Sequence, residues 1–425
     1  MILFMLRDPR TGRYSRSVRF FFFLLALLFL GTRSGGAEFS SADRTLLLKI
    51  EKDSARYFFD HTNPSTGLTK DSSRPGAPAS IAATGFALTV FAISAERGWI
   101  SRAQAYDKVK KTLKYARDHM EQKGGFYYHF VSPTNGKRTW NSEISSMDTA
   151  LFMAGALTAS QMLSGKEVRA LADQLYKRIN WRWMTNGTDQ LSHGWTPEQQ
   201  FLPYYWDSYS EQLLLQALAH GSNTHPPPPQ VWLSWKRKID SYEGHTVVYA
   251  HTGSLFTYQF PHAFIDFRKL RDGKINYFKN SISATLANRD FCLNHKDKYR
   301  TYGPSSWGLT ACIGPFGYRA YGARPGLALH DGTIAPYGAA GSLPFTPERS
   351  MAVLRHYYET YGSELYGKYG FRDAFNLSQD WVADEWMGID QGLTVLMIEN
   401  ALSGSVWKNF MTLECIQRWI ERMHL

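Results

Sequence analysis

The sequence predicts an all-α fold, built from helical hairpins that close into an α/α toroid, with short β-hairpins inserted in the loops. Three observations lead there. Eleven segments carry apolar residues at spacings of three and four, turn residues separate them, and no strand–helix alternation of the parallel-sheet kind occurs.

In chain order the first two helices are 43–59 (DRTLLLKIEKDSARYFF) and 80–96 (SIAATGFALTVFAISAE). Gly98 then breaks the pattern, and Ser101 opens a helix over 101–121. Residues 126–140 (FYYHFVSPTNGKRTW) read as a hairpin with Asn135-Gly136 at its turn. Helices over 146–163 and 166–179 follow, parted by Gly165. A second hairpin is expected at 181–195, turning at Asn186-Gly187. Helices then run over 208–219, 229–241, 275–291, 347–361, 390–402 and 405–422, with Gly221 and Gly404 among the breaks. Residues 292–345 are rich in Gly and Pro, yet too apolar for a linker and too long for an idle loop, so they predict an ordered functional loop.

At the N-terminus, residues 20–30 (FFFFLLALLFL) are apolar and too short for a comfortable membrane span. Arg7, Arg10, Arg13, Arg16 and Arg19 precede them, and the small residues of GTRSGGAEF follow. This order predicts a signal peptide over 1–37, cleaved after Ala37, and a periplasmic or secreted protein. An uncleaved anchor is the alternative, and it would be the only membrane contact. Residues 38–425 are read as one catalytic domain, because no hydrophilic linker divides them.

Removing the leader lowers the formal charge from +11 to about +6, since six of the arginines leave with one aspartate. No Lys/Arg run remains, so no nucleic-acid partner is expected. Cys292, Cys312 and Cys415 are odd in number and widely spaced, which argues against a disulfide framework while leaving one bridge open. The 13 histidines form no metal-ligand motif, and there is no phosphate loop or dinucleotide fingerprint. Cofactor-free chemistry without a metal, in a monomer, is the expectation.

Three helix starts carry a carboxylate on the apolar stripe. Asp148 follows Ile144 by four and precedes Leu151 and Phe152, while Glu211 precedes Leu214, Leu215 and Leu218. Asp390 precedes Leu393 and Met397 in the same way, and Glu143 stands just ahead of the first helix. Ser145-x-x-Asp148 and Ser208-x-x-Glu211 also match the capping box, so each acid alone reads as a cap. An α/α toroid, however, gathers helix starts at one end and would bring such acids together. Loop aromatics surround them: Trp140, Trp181, Trp195, Trp206, Trp307 and Trp381. Flat rings with polar edges suit sugar faces. Acids, aromatic walls and no metal are the requirements of glycoside hydrolysis, in which one carboxylic acid protonates the leaving oxygen and a second carboxylate acts on water or the sugar.

The motifs WNSEISSMDTALFMAGALTA, WDSYSE, THPPPP, WGLTAC-x-GP, DGTIAP, LRHYYETYG, YGFRDAFN and GIDQGLTVLMIEN resemble the glycoamylase-like glycoside hydrolases, a group that includes bacterial endo-β-1,2-glucanases. The resemblance runs from about residue 45 to the C-terminus. It implies an (α/α)6 toroid and a glucan oligo- or polysaccharide substrate, with Glu211 similar to the family's candidate proton donor. Asp148 is similar to an acid at the matching helix start, with Glu143 beside it as a further catalytic candidate. Trp140, Trp206, Asp207, Tyr209, Trp307, Arg319, Asp331, Trp381 and Asp390 are the expected substrate contacts. The family places several acids where this chain has Asn141, Ser142 and Ser145, and an Asp before Gly-Pro where this chain has Ile313. Two other readings stay open. A polysaccharide lyase would use Tyr204, Tyr205 or Tyr209 with Arg319 and Arg324, and a binding protein would have lost its activity with the missing acids.

Overall fold

Fourteen α-helices occur among the described residues, 39–425, of the computed structural model. The leader expected over 1–37 lies outside them. In order the helices are α1 (Ser41–His61), α2 (Ile81–Glu96), α3 (Arg102–Asp118), α4 (Ser146–Leu163), α5 (Lys166–Lys177), α6 (Gln212–Gly221) and α7 (Gln230–Ser234). They continue as α8 (Phe256–Phe264), α9 (Tyr277–Asn294), α10 (Pro336–Ala340), α11 (Pro347–Leu365), α12 (Gly388–Leu402), α13 (Ser405–Phe410) and α14 (Glu414–Met423). The chain is mostly helical, with small antiparallel strand pairs in its loops.

Composition sorts the helices into two kinds. In α2, α4, α6, α8 and α12 nearly every side chain is buried, as their all-round apolar sequences require. By contrast α3, α5 and α14 bury one stripe each, such as Ala105, Val109, Thr112, Leu113 and Ala116 in α3. The enclosed helices neighbour one another: α2 packs on α4 and α12, α4 on α6, α6 on α8, and α8 on α12. Glycine permits the closest of these contacts. A Cβ on Gly155 would lie 1.9 Å from the carbonyl oxygen of Gly85, so α2 and α4 touch backbone to backbone.

Several expected elements change. The helix expected over 208–219 starts only at Gln212, and the one over 229–241 stops at Ser234 because Ile239–Tyr242 pairs with His245–Val248 as a hairpin. Residues 405–422 divide into α13 and α14. Both α8 and α10 escape periodicity, α8 because its nine residues are interrupted by Pro261 and bury even Thr257, Gln259 and His262, and α10 because it lies in the Gly/Pro-rich stretch. The hairpin at 126–140 forms, with Val131 paired to Arg138 and Gly136 in the left-handed region. The one at 181–195 does not form. Trp183–Thr185 makes a 3-10 turn, and Gly194–Thr196 pairs instead with Ile144–Ser145 and Gln200–Phe201. The three cysteines are buried free thiols.

Candidate active site

The segments just before the enclosed helices are zipped edge to edge by backbone hydrogen bonds. Gly388 N donates to Asp71 O (2.6 Å), Ile81 N to His129 O (3.1 Å), His129 N to Glu143 O (2.9 Å) and Ser146 N to His193 O (3.1 Å). Strand Ala79–Ser80 pairs with Phe130–Val131, and Ile144–Ser145 with Gly194–Trp195. Ser80 and Ser145 then cap α2 and α4 through their hydroxyls. The ladder needs a glycine at 194, where a Cβ would meet Ile144 O at 2.4 Å and Glu143 Cγ at 2.8 Å.

Two cavities open over these helix starts. The larger, about 730 Å³, is lined by Asp71, Glu143, Asp148, Glu211 and Glu385, together with Arg74, His129, Trp140, Ile313 and Tyr318. The smaller, about 550 Å³, is lined by Tyr204, Tyr205, Asp207 and His251 among others. His193, Trp206, Glu211 and Phe256 line both, so Glu211 stands where the two meet.

Glu211 ends the loop before α6, and the expected capping box is absent. The Ser208 hydroxyl donates to Asp207 instead, and the Glu211 carboxyl has no side-chain hydrogen-bond partner among the described residues. Burial pushes its pKa up to about 7, opposed by a hydrogen bond from its own backbone N–H and helped by the Asp148 charge. At the start of α4 Ser145 is the cap, and the Asp148 carboxylate bonds its hydroxyl rather than a backbone N–H. Ser145 Oγ accepts from Asp148 N (3.1 Å) and donates to Asp148 Oδ2 (2.5 Å), while Oδ1 turns to His129 Nε2 at 3.4 Å. The other ring nitrogen of His129 lies 3.0 Å from Glu143 Oε1.

These contacts separate the charges. Burial opposes the His129 cation, but Asp148, Glu143 and Asp71 outweigh it and raise the imidazole to about 9. Burial likewise raises Glu143, yet the hydrogen bond and charge of His129 hold it below the usual carboxylate range. Asp71 is lifted by burial to about 6. His129, Glu143 and Asp148 offer ligand atoms within 4.8 Å of one another, close enough for a cation. Nδ1 is hydrogen-bonded to Glu143 and Nε2 faces Asp148 at ion-pair distance, so the cluster fits an ion triad better than a metal.

Of the expected site residues, Glu211, Asp148, Glu143, Trp140 and Trp206 line the larger cavity, and Asp207 and Tyr209 the smaller. Trp206 is fixed by its Nε1–H donating to Ser146 Oγ (2.9 Å) and by stacking on His193 at 3.9 Å. Others are corrected. The Trp307 ring is fully buried and lines neither cavity, so it is a packing residue, while Tyr209, stacked on Tyr277, forms part of the wall of the smaller cavity. Trp181 and Trp195 are also buried. Burying an aromatic ring removes roughly 150–250 Å² from water, which outweighs any demand for a surface aromatic there. Arg319, Asp331 and Trp381 line neither cavity; Asp331 accepts from Tyr321 Oη at 2.8 Å. Asp390 is sealed beneath the site and hydrogen-bonded to Asp373, whose Oδ2 accepts from Ile313 N at 2.7 Å.

Sequence reasoning missed Asp71, Arg74, His129, His193 and Glu385. Glu385 is paired with Arg74 at 2.6 Å. A usable signal was present: Asp71, Glu143, Glu211 and Glu385 all lie in the segment before an enclosed helix, not on it. Weight given to the apolar stripe favoured Asp390 over Glu385.

Comparison with known proteins agrees with this geometry. A family model described as "Putative glucoamylase" matches residues 203–414. The exo β-1,2-glucooligosaccharide sophorohydrolase (non-reducing end) of Parabacteroides distasonis is 29% identical over 421 residues, covering 90% of this chain. The chain spans only 58% of that relative's length. A solved structure from Bacteroides uniformis ATCC 8492, described in the same words as the family, is 29% identical with a TM-score of 0.85, covering 91% of this chain and 98% of that one. The endo-β-1,2-glucanase of Chitinophaga pinensis, solved with sophorotriose and glucose, is 28% identical with a TM-score of 0.84 at 91% and 98% coverage. The chain is similar to the glycoamylase-like family.

Proposed function

We propose that the protein is an exported glycoside hydrolase that cleaves a β-glucan, β-1,2-linked glucan first among them, with Glu211 as general acid. One observation carries this reading: a carboxyl with no side-chain partner, raised to about 7, at the junction of two cavities. A scissile bond laid across that junction would place a sugar on each side of the proton donor. The relatives' activities on β-1,2-linked glucans support the substrate class.

Glu143, held ionised by His129, is the carboxylate proposed to activate water, with Asp148 steadying the same imidazolium. Water attack from the side opposite Glu211 makes the reaction inverting. The (α/α)6 toroid is the architecture proposed for the scaffold. Its support is the series of enclosed helices in which α2 touches both α4 and α12. The basic, apolar, small-residue order of 1–37 supports export to the periplasm or beyond.

The lyase reading is weaker, since neither Arg319 nor Arg324 lines a cavity to neutralise a uronate, although Tyr204, Tyr205 and Tyr209 line the smaller one. Incubation with β-1,2-, β-1,3- and β-1,4-glucans, followed by reducing-end assay and NMR of the first-formed anomer, tests the proposal. Cleavage of the β-1,2-linked polymer to an α-anomer is expected. An absence of product from every glucan would overturn it, and a β-anomer would overturn inversion alone.

A further inference from the structure

Trp140 and Asn141 are consecutive residues in the left-handed region, with φ of 56° and 50°. Residues with a Cβ rarely adopt that conformation, and a bulky tryptophan least of all. The loop keeps it because Arg138 ties it down from below. Its Nε–H donates to Ser142 O (2.6 Å), Nη2 to Asn141 O (2.7 Å), and the fork of Nη1 and Nη2 to Glu198 at 2.6 and 2.9 Å. Glu198 comes from the turn between strands Gly194–Thr196 and Gln200–Phe201, so the clamp joins two loops on one rim of the larger cavity.

The side chain so presented is not used in packing. Trp140 is 66% exposed, touching Phe130 at a tilted 5.1 Å, and Phe130 stacks on His129 at 3.8 Å. An exposed large aromatic on a strained backbone, over-determined by hydrogen bonds and facing a cavity, has the form of a ligand platform. A tryptophan serving the core would be buried as Trp181 and Trp307 are.

We propose that Trp140 stacks on a glucosyl ring of the substrate in the larger cavity, and that Arg138 with Glu198 is the positioning pair that holds this platform in place. The proposal rests on the glucan-cleaving reading above and adds a determinant of substrate affinity to it. The ring recognised is neutral, offering its C–H face to the indole and its hydroxyls to the polar rim. The clamp acts through the loop and touches no sugar itself.

Steady-state kinetics on short and long β-1,2-gluco-oligosaccharides test this with Trp140→Ala, Trp140→Tyr, Arg138→Ala and the double variant Trp140→Ala/Arg138→Ala. Trp140→Ala should raise KM by about tenfold with kcat retained, and Trp140→Tyr should recover most of the loss. Arg138→Ala should raise KM nearly as far, and the double variant should be no worse than Trp140→Ala alone. An unchanged KM in Trp140→Ala, with the parent active, overturns the platform. Independent, multiplying effects in the double variant overturn the clamp. Should the parent cleave no glucan, the reading of function fails separately. Fluorescence titration with β-1,2-glucan then still decides the platform, which predicts quenching in the parent that is lost in Trp140→Phe and is overturned if the quenching persists.

Discussion

Glu211 and Asp390 are both acids at the start of an enclosed helix, and burial raises both, yet their surroundings differ completely. Glu211 precedes α6 by one residue and opens into the junction of two cavities without a side-chain partner. Asp390 sits in the first turn of α12, sealed from both cavities and sharing a hydrogen bond with Asp373. Asp390 is hydrogen-bonded to a neighbouring carboxylate, whereas the Glu211 carboxyl has no side-chain hydrogen-bond partner among the described residues and faces the cavities. The difference teaches that an offset of a few residues from the helix start separates a structural acid from a reactive one.

The largest test of that contrast is substitution by the isosteric amide. Glu211→Gln should lower kcat on glucan by about 10²–10⁴-fold, while Asp390→Asn, which still offers a donor to Asp373, should stay within about threefold of the parent. Comparable losses in both would erase the distinction. His129→Gln removes the cation beside Glu143, so the Glu143 pKa should rise and the acid limb of the kcat/KM profile move to higher pH. The alkaline limb, set by Glu211 near pH 7, should stay in place. Movement of both limbs together would break the assignment of separate roles.

A smaller effect is expected beneath the site. Asp373→Asn weakens the acceptor for Ile313 N–H and the partner of Asp390, which should cost about 1–3 kcal/mol in denaturant unfolding. Smallest is the pH dependence of stability. The Glu211 carboxyl is raised in the fold from 4.5 to about 7, so the stability tied to its proton is complete below pH 4.5 and lost as pH rises through 7. Glu211→Gln should therefore match the parent in thermal stability at pH 4 and exceed it at pH 8. The His129 contribution has the same sign, complete below pH 6.5 and lost as pH rises through about 9.

The long periodic helices could be read from the chain because their apolar stripes are local; Arg102–Asp118 and Lys166–Lys177 differ from expectation by only a few residues. The short enclosed helix Phe256–Phe264 could not, since it is only nine residues long, carries Pro261 and buries polar and apolar residues alike, leaving no period to detect. In the site, Glu211, Asp148 and Glu143 were visible because motif and helix-start chemistry coincide there. Asp71 and His129 were not, for they reach the cavity only through backbone pairing between loops distant in sequence. Trp307 shows the reverse failure: nothing local distinguishes an aromatic beneath a loop from one upon it.

Leaving-group dependence in Glu211→Gln tests the central claim most directly. The parent and the variant would each be assayed at pH 6 on β-1,2-glucan and on an aryl β-glucoside whose phenolate departs without protonation. The account predicts that the variant loses the glucan reaction and keeps most of the aryl glucoside reaction. Equal losses on both substrates would contradict Glu211 as the proton donor.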